Sequence, residues 1–120
     1  MRFMDTNQQT LMEFSDMMDL TYYVGPLDTA LIFKDKGYEI GYVVYNYYEG
    51  KIEKFEIFEN HRGQGYSHYM MDLLLHRLKD EIKVVELMPT TDKLFGFYSA
   101  FGFKRYKRFW KRHLMWKSLS

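Results

Sequence analysis

Between Phe58 and Tyr66 the apolar pattern of this chain changes period, and that change limits the possible fold more than any other feature. Upstream of it lie short β-rich runs closed by turn residues: Leu20 to Val24 before Gly25-Pro26, Ala30 to Phe33 before Asp35-Lys36-Gly37, Tyr38 to Tyr48 before Glu49-Gly50, and Lys51 to Phe58. The Glu49-Gly50 break suits a tight hairpin, pairing the strand of Val43 and Val44 with that of Phe55 and Ile57. Downstream, Tyr66, Tyr69, Met70, Leu73, Leu74 and Leu78 recur at three- and four-residue spacing, which predicts a helix over 65–80. Thr6 and Gln9 resemble a capping box ahead of Leu11, Phe14, Met17 and Met18, so a second amphipathic helix is expected over 6–19.

The rest of the chain alternates in the same way. Lys83 to Met88 reads as a buried strand ending at Pro89. Thr91 caps a short helix carrying Leu94, Phe95, Tyr98 and Phe101, with Gly102 just past its end. Phe103 to Leu119 is aromatic and β-prone and forms a final hairpin. A sheet must bury one face against helices, so the order implies an α+β fold: a mostly antiparallel twisted sheet of about six to seven strands flanked by about three helices. No repeat or linker divides the 120 residues, and one domain over 1–120 is expected.

Composition removes whole classes of chemistry. There is no cysteine, hence no disulfide, thiolate metal site or cysteine nucleophile. His61, His68, His76 and His113 are scattered without the spacing of metal ligands, so no metal site is expected. No apolar run approaches the ~20 residues that span a bilayer and the N-terminus has no signal-like stretch, which points to the cytoplasm. Charge is uneven: residues 93–120 contain eight Lys or Arg and no Asp or Glu, while all sixteen acidic groups precede them. Within this end, residues 104–112 interleave cations with Tyr106, Phe109 and Trp110, a composition suited to nucleic acid or an acidic partner.

The segment Ile57 to Ser67 carries the chemistry. A strand runs through a glycine-containing loop into a helix, where uncapped N–H groups and the helix dipole favour an anion such as phosphate. A dinucleotide fingerprint would need glycine at His68, and no Gly-Lys-Ser/Thr occurs, so neither of those phosphate loops is present. Arg62-Gly63-Gln64-Gly65-Tyr66-Ser67 resembles the R/Q-x-x-G-x-G/A pyrophosphate loop of the GNAT acetyltransferases, with Ser67 in place of the last small residue. Phe97-Tyr98-Ser99-Ala100-Phe101-Gly102-Phe103 resembles that family's F/L-Y-x-x-x-G-F segment, one strand and one short helix later, although Thr91 stands where many members have Asn.

The resemblance implies a direct transfer in which an amine attacks the acetyl-CoA thioester while both are bound. It assigns Ile57 and Phe58 to the pantetheine arm and to the oxyanion, and Arg62, Gly63, Gln64, Gly65, Tyr66 and Ser67 to the pyrophosphate. Tyr98 would be the general acid toward the departing thiolate. For the base the strand offers Glu56 first and Glu53 second, and strict alternation lets only one of them face the site; Glu86 could act through water. A different acyl group, or a non-catalytic protein that binds nucleic acid or an acidic partner through its basic end, are the alternatives.

Overall fold

The computed structural model describes residues 13–16 and 27–120. Seven strands form one sheet in the order β1-β2-β3-β4-β5-β7-β6. They are β1 (Glu13–Asp16), β2 (Asp28–Asp35), β3 (Tyr38–Asn46), β4 (Lys51–Ile57), β5 (Val84–Leu87), β6 (Lys104–Arg105) and β7 (Met115–Ser118). Every neighbouring pair is antiparallel except β4 with β5. The helices are α1 (Tyr66–Leu78) and α2 (Asp92–Ala100).

The period-two runs become strands where expected, and the Glu49-Gly50 turn sets the register that opposes Val43 to Phe55 and Gly41 to Ile57. One expectation changes. Residues 13–16 form β1 along Leu31 to Lys34 of β2, not part of a helix. The edge of β2 offers a row of unpaired backbone groups, and a ladder satisfies four residues there more completely than a weak helical pattern does. The remainder of the segment 6–19 and the run Leu20 to Val24 lie outside the described residues.

The core lies where α1 crosses the sheet. Met71, Leu74 and Leu78 of α1 are buried against Leu31, Val43, Tyr45, Ile52, Val85 and Met115 from five strands, and Met70 packs in a second cluster with Phe33 and Ile40. Burial of each such side chain stabilises by roughly 1.5–3 kcal/mol, which anchors the start of α1 over β4. Gly41 allows the two strands to close there, since a Cβ on it would lie 2.3 Å from the backbone oxygen of Glu56. Among the described residues no helix is long and apolar enough to cross a membrane.

A candidate active site where two strands part

β4 and β5 are hydrogen-bonded in parallel only at their first and last residues respectively, Lys51 with Glu86 and Ile52 with Leu87. Beyond these residues they separate. Two connected hollows fill the gap: one of about 370 Å³ is lined by Tyr42, Glu53, Glu56, Leu87, Met88 and Tyr98 among others, and one of about 460 Å³ by Ile57, Arg62, Ser67, Lys93, Phe97 and Tyr98 among others.

Which backbone groups face the gap follows from the pairing with β3. The N–H of Phe58 donates to the Ile40 carbonyl at 2.8 Å, and the Phe58 carbonyl accepts from His61 N–H at 2.9 Å. Phe58 therefore presents no free main-chain group to the cleft. Alternation turns the N–H and C=O of Phe55 and Ile57 to the open edge instead. Arg62 Nε donates to the Ile57 carbonyl at 2.8 Å, which fits that direction.

The loop from Arg62 to Ser67 enters α1 through Gly65, its N-cap, at φ 81°. Gly63 has φ 77°, and an added Cβ at either glycine would meet no atom within 4 Å. The glycines thus serve backbone conformation and leave the approach open. No side chain caps the helix, so its first N–H groups remain available. The Tyr66 side chain turns away to buried Asp35; burial first, then that carboxylate, pushes its hydroxyl up to about 12.

Tyr98 comes to the cleft from the other side. It is 7 % exposed, lines both hollows, and makes no side-chain hydrogen bond among the described residues. Burial raises its pKa above the usual phenol value. Its position is fixed by the end of α2: Phe103 N–H donates to the Tyr98 carbonyl (3.2 Å) and Gly102 N–H to that of Ser99 (2.9 Å), a Schellman ending. The Phe103 ring then packs edge-on against Tyr98 with centroids 5.8 Å apart. The glycine-phenylalanine pair after the helix therefore holds the tyrosine. Thr91 caps the other end, accepting from Leu94 N–H at 3.4 Å.

Both candidate bases line one hollow, contrary to strict alternation. Lys54 opposes Val44 and Ile52 opposes Tyr45, so Glu53 is an extra residue in β4, a bulge that turns Glu53 and Glu56 to a common space. Glu56 is held on both oxygens, accepting from the Tyr42 hydroxyl at 2.7 Å and from Arg62 Nη2 at 3.4 Å. Burial, followed by Glu56 itself, pushes Tyr42 up to about 12. Glu86 accepts from the hydroxyl of Tyr106, in the loop after β6, at 2.5 Å and does not line either hollow. Tyr42 and Lys93 escape a reading of motifs: Tyr42 is brought to Glu56 only by the hairpin register, and Lys93 reaches the gap only through the placing of α2. Among the described residues no group of His, Cys, Asp or Glu could hold a metal ion.

Comparison with known proteins agrees with this geometry. The model of the acetyltransferase (GNAT) family matches residues 4–103. None of the curated protein sequences matches the chain. The ribosomal-protein-S18-alanine N-acetyltransferase of Escherichia coli superposes with a TM-score of 0.68 at 10% identity, over 92% of this chain and 95% of that one. A GNAT family acetyltransferase from Elizabethkingia anophelis, solved with acetyl-CoA bound, gives 0.67 at 14% identity over 85% and 83%. The spermidine N-acetyltransferase of Vibrio cholerae gives 0.64 at 17% identity over 86% and 70%.

Proposed function

Because the chain belongs to the GNAT acetyltransferase family, we propose that it transfers an acetyl group from acetyl-CoA to an amine, with the parting of β4 and β5 as the seat of reaction. The observation that carries this reading is that Tyr98, Glu56 and the open edge of β4 all line the same gap.

The residues present fit the cosubstrate. The uncapped start of α1 and the open space at Gly63 and Gly65 suit a pyrophosphate, with Arg62 and Lys93 as cations beside them. The free edge at Phe55 and Ile57 suits the amides of an extended arm, as an added strand would. Acetyl-CoA, when bound, supplies an acyl group on a good leaving thiol.

The remaining work falls to side chains of this chain. An alkyl amine with pKa about 10.4 arrives protonated and must lose a proton before it can attack. Glu56 is the acceptor for that proton, and Glu53 and Lys54 line the same hollow. Tyr42 fixes the orientation of Glu56. Tyr98 donates to the leaving sulfur; its buried hydroxyl has no competing side-chain partner among the described residues, and its raised pKa keeps the proton in place at neutral pH. Arg62 links the two halves, because its contacts with Ile57 and Glu56 occupy groups that the reaction needs. An anion at the loop would draw the guanidinium away and free both.

The experiment is thiol release from acetyl-CoA across a panel of primary amines. A chain without cysteine contributes no background. Release that requires both protein and amine supports transfer. Binding of acetyl-CoA with no amine-dependent release from any member of the panel would refute it.

A further inference from the structure

The basic, aromatic stretch 104–112 plays no part in the cleft, yet it is a shaped surface. It leaves edge strand β6, makes a 3-10 turn at Phe109–Lys111 and returns to β7. Its base is fastened by the Tyr106 hydroxyl on Glu86 (2.5 Å) and by Leu114 N–H on the Lys111 carbonyl (2.9 Å). At the tip, Phe109 is 81% and Trp110 66% exposed. Two adjacent large rings held in water are unusual on a protein surface and mark a place of contact.

The cations around them are equally unspent. Among the described residues the single ion pair is Arg62 with Glu56, and the one carboxylate bound within the stretch, Glu86, is held by the Tyr106 hydroxyl rather than by a cation. The charges lie against rings instead: Lys111 Nζ is 4.7 Å from the centroid of Tyr106, Lys104 Nζ 5.8 Å from Trp116, and the Arg108 guanidinium 5.9 Å from Trp110.

We propose that this edge binds single-stranded nucleic acid, with phosphates at Lys107, Arg108, Lys111 and Arg112 and bases stacked on Phe109 and Trp110. Cations that track a backbone and flat rings that accept unstacked bases are the two requirements of such binding, and both are present within one turn. An acidic peptide and duplex DNA each satisfy only one. An acidic peptide would use the charges and leave the rings wet, and duplex DNA keeps its bases stacked inside. A second copy of the chain, docked about a two-fold axis, would bring two like-charged surfaces together. Because Glu86, which anchors the loop, directly precedes Leu87 and Met88 of the cleft, the bound strand would run beside the proposed active site.

The test is fluorescence anisotropy of a labelled single-stranded RNA of about ten nucleotides. Binding should weaken with salt at a log-log slope of about −3, the value for four neutralised phosphates. The double variant Phe109→Ala/Trp110→Ala should weaken binding on the order of 100-fold, about tenfold for each lost stack, with the slope retained. Changing Lys107, Arg108, Lys111 and Arg112 to Glu should abolish it. In the unmodified chain RNA should quench the tryptophan fluorescence, to which Trp110 and Trp116 both contribute, a readout independent of any variant's folding. RNA binding that survives the aromatic variant, a duplex of the same sequence bound as tightly, or tighter binding to polyglutamate or to anionic phospholipid vesicles would overturn the proposal. So would a change in oligomeric state on replacing Trp110 that accounts for the loss. Acetyl-CoA affinity should be the same in the aromatic variant, which separates this surface from the cleft.

Discussion

Replacing Tyr98 by Phe removes one oxygen from the cleft and should change almost nothing else. The hydroxyl makes no side-chain hydrogen bond among the described residues, so its loss strands no partner among them. The ring keeps its edge-on contacts with Phe97 (5.2 Å) and Phe103 (5.8 Å), and the Schellman ending of α2 rests on backbone groups. Folding stability should therefore shift by about 1 kcal/mol or less. Loss of a general acid typically costs 10²–10⁴-fold in rate, equivalent to about 3–5 kcal/mol of transition-state stabilisation. In a thiol-release assay with a reactive amine, kcat should fall within that range while the calorimetric Kd for CoA stays within about twofold. Burial weakens Tyr98 as an acid, but the same dry surroundings disfavour the departing thiolate, so the donor and acceptor remain matched. A variant with unchanged kcat, or one whose CoA affinity falls in step with its rate, would refute the assignment.

Other expectations follow from the same geometry. Arg62→Ala removes the contact to the Ile57 carbonyl and a half-exposed ion pair; calorimetry should show CoA affinity down about tenfold, and thermal melting a loss of under about 1 kcal/mol. Gly41→Ala places a Cβ 2.3 Å from the Glu56 oxygen, so β4 must move; a stability loss of about 1–3 kcal/mol by denaturant titration should accompany a fall in turnover. Tyr42, Tyr66 and Tyr106 each hold their proton to about 12 in the fold, against about 10 in the unfolded chain. The folded state thus binds protons more tightly, and stability should be complete below about pH 10 and decline toward 12, with a shallower decline in Tyr106→Phe. Denaturant midpoints measured against pH would show this, and a flat profile would contradict it.

Much of the architecture is legible in the residues because local rules and tertiary needs agree. The spacing of Met70, Leu74 and Leu78 makes one buried stripe, Thr91 and Gly102 bracket α2, and Glu49-Gly50 sets a register. The failures arise where a partner decides. Glu13 to Asp16 fall within the helical spacing of Leu11, Phe14, Met17 and Met18, yet lie along the edge of β2. Glu53 and Glu56 should face apart, but a one-residue bulge, invisible in composition, turns both to one hollow. Phe58 belongs to the strand by pattern, while Ile40 and His61 take up its backbone groups. Tyr42 is fourteen residues from Glu56 in sequence, and only the folded hairpin makes them neighbours. The parting of β4 from β5, on which the whole site depends, has no sequence signature beyond Pro89 after the short fifth strand.

The central claim is that the gap between β4 and β5, with the Arg62 to Ser67 loop, holds acetyl-CoA. Calorimetric titration of the purified chain with acetyl-CoA, and separately with CoA, tests it without knowledge of the acceptor. The account predicts saturable binding of one molecule per chain, weakened in Arg62→Ala and preserved in Tyr98→Phe. Absence of binding by the unmodified chain, or binding indifferent to Arg62, would contradict it.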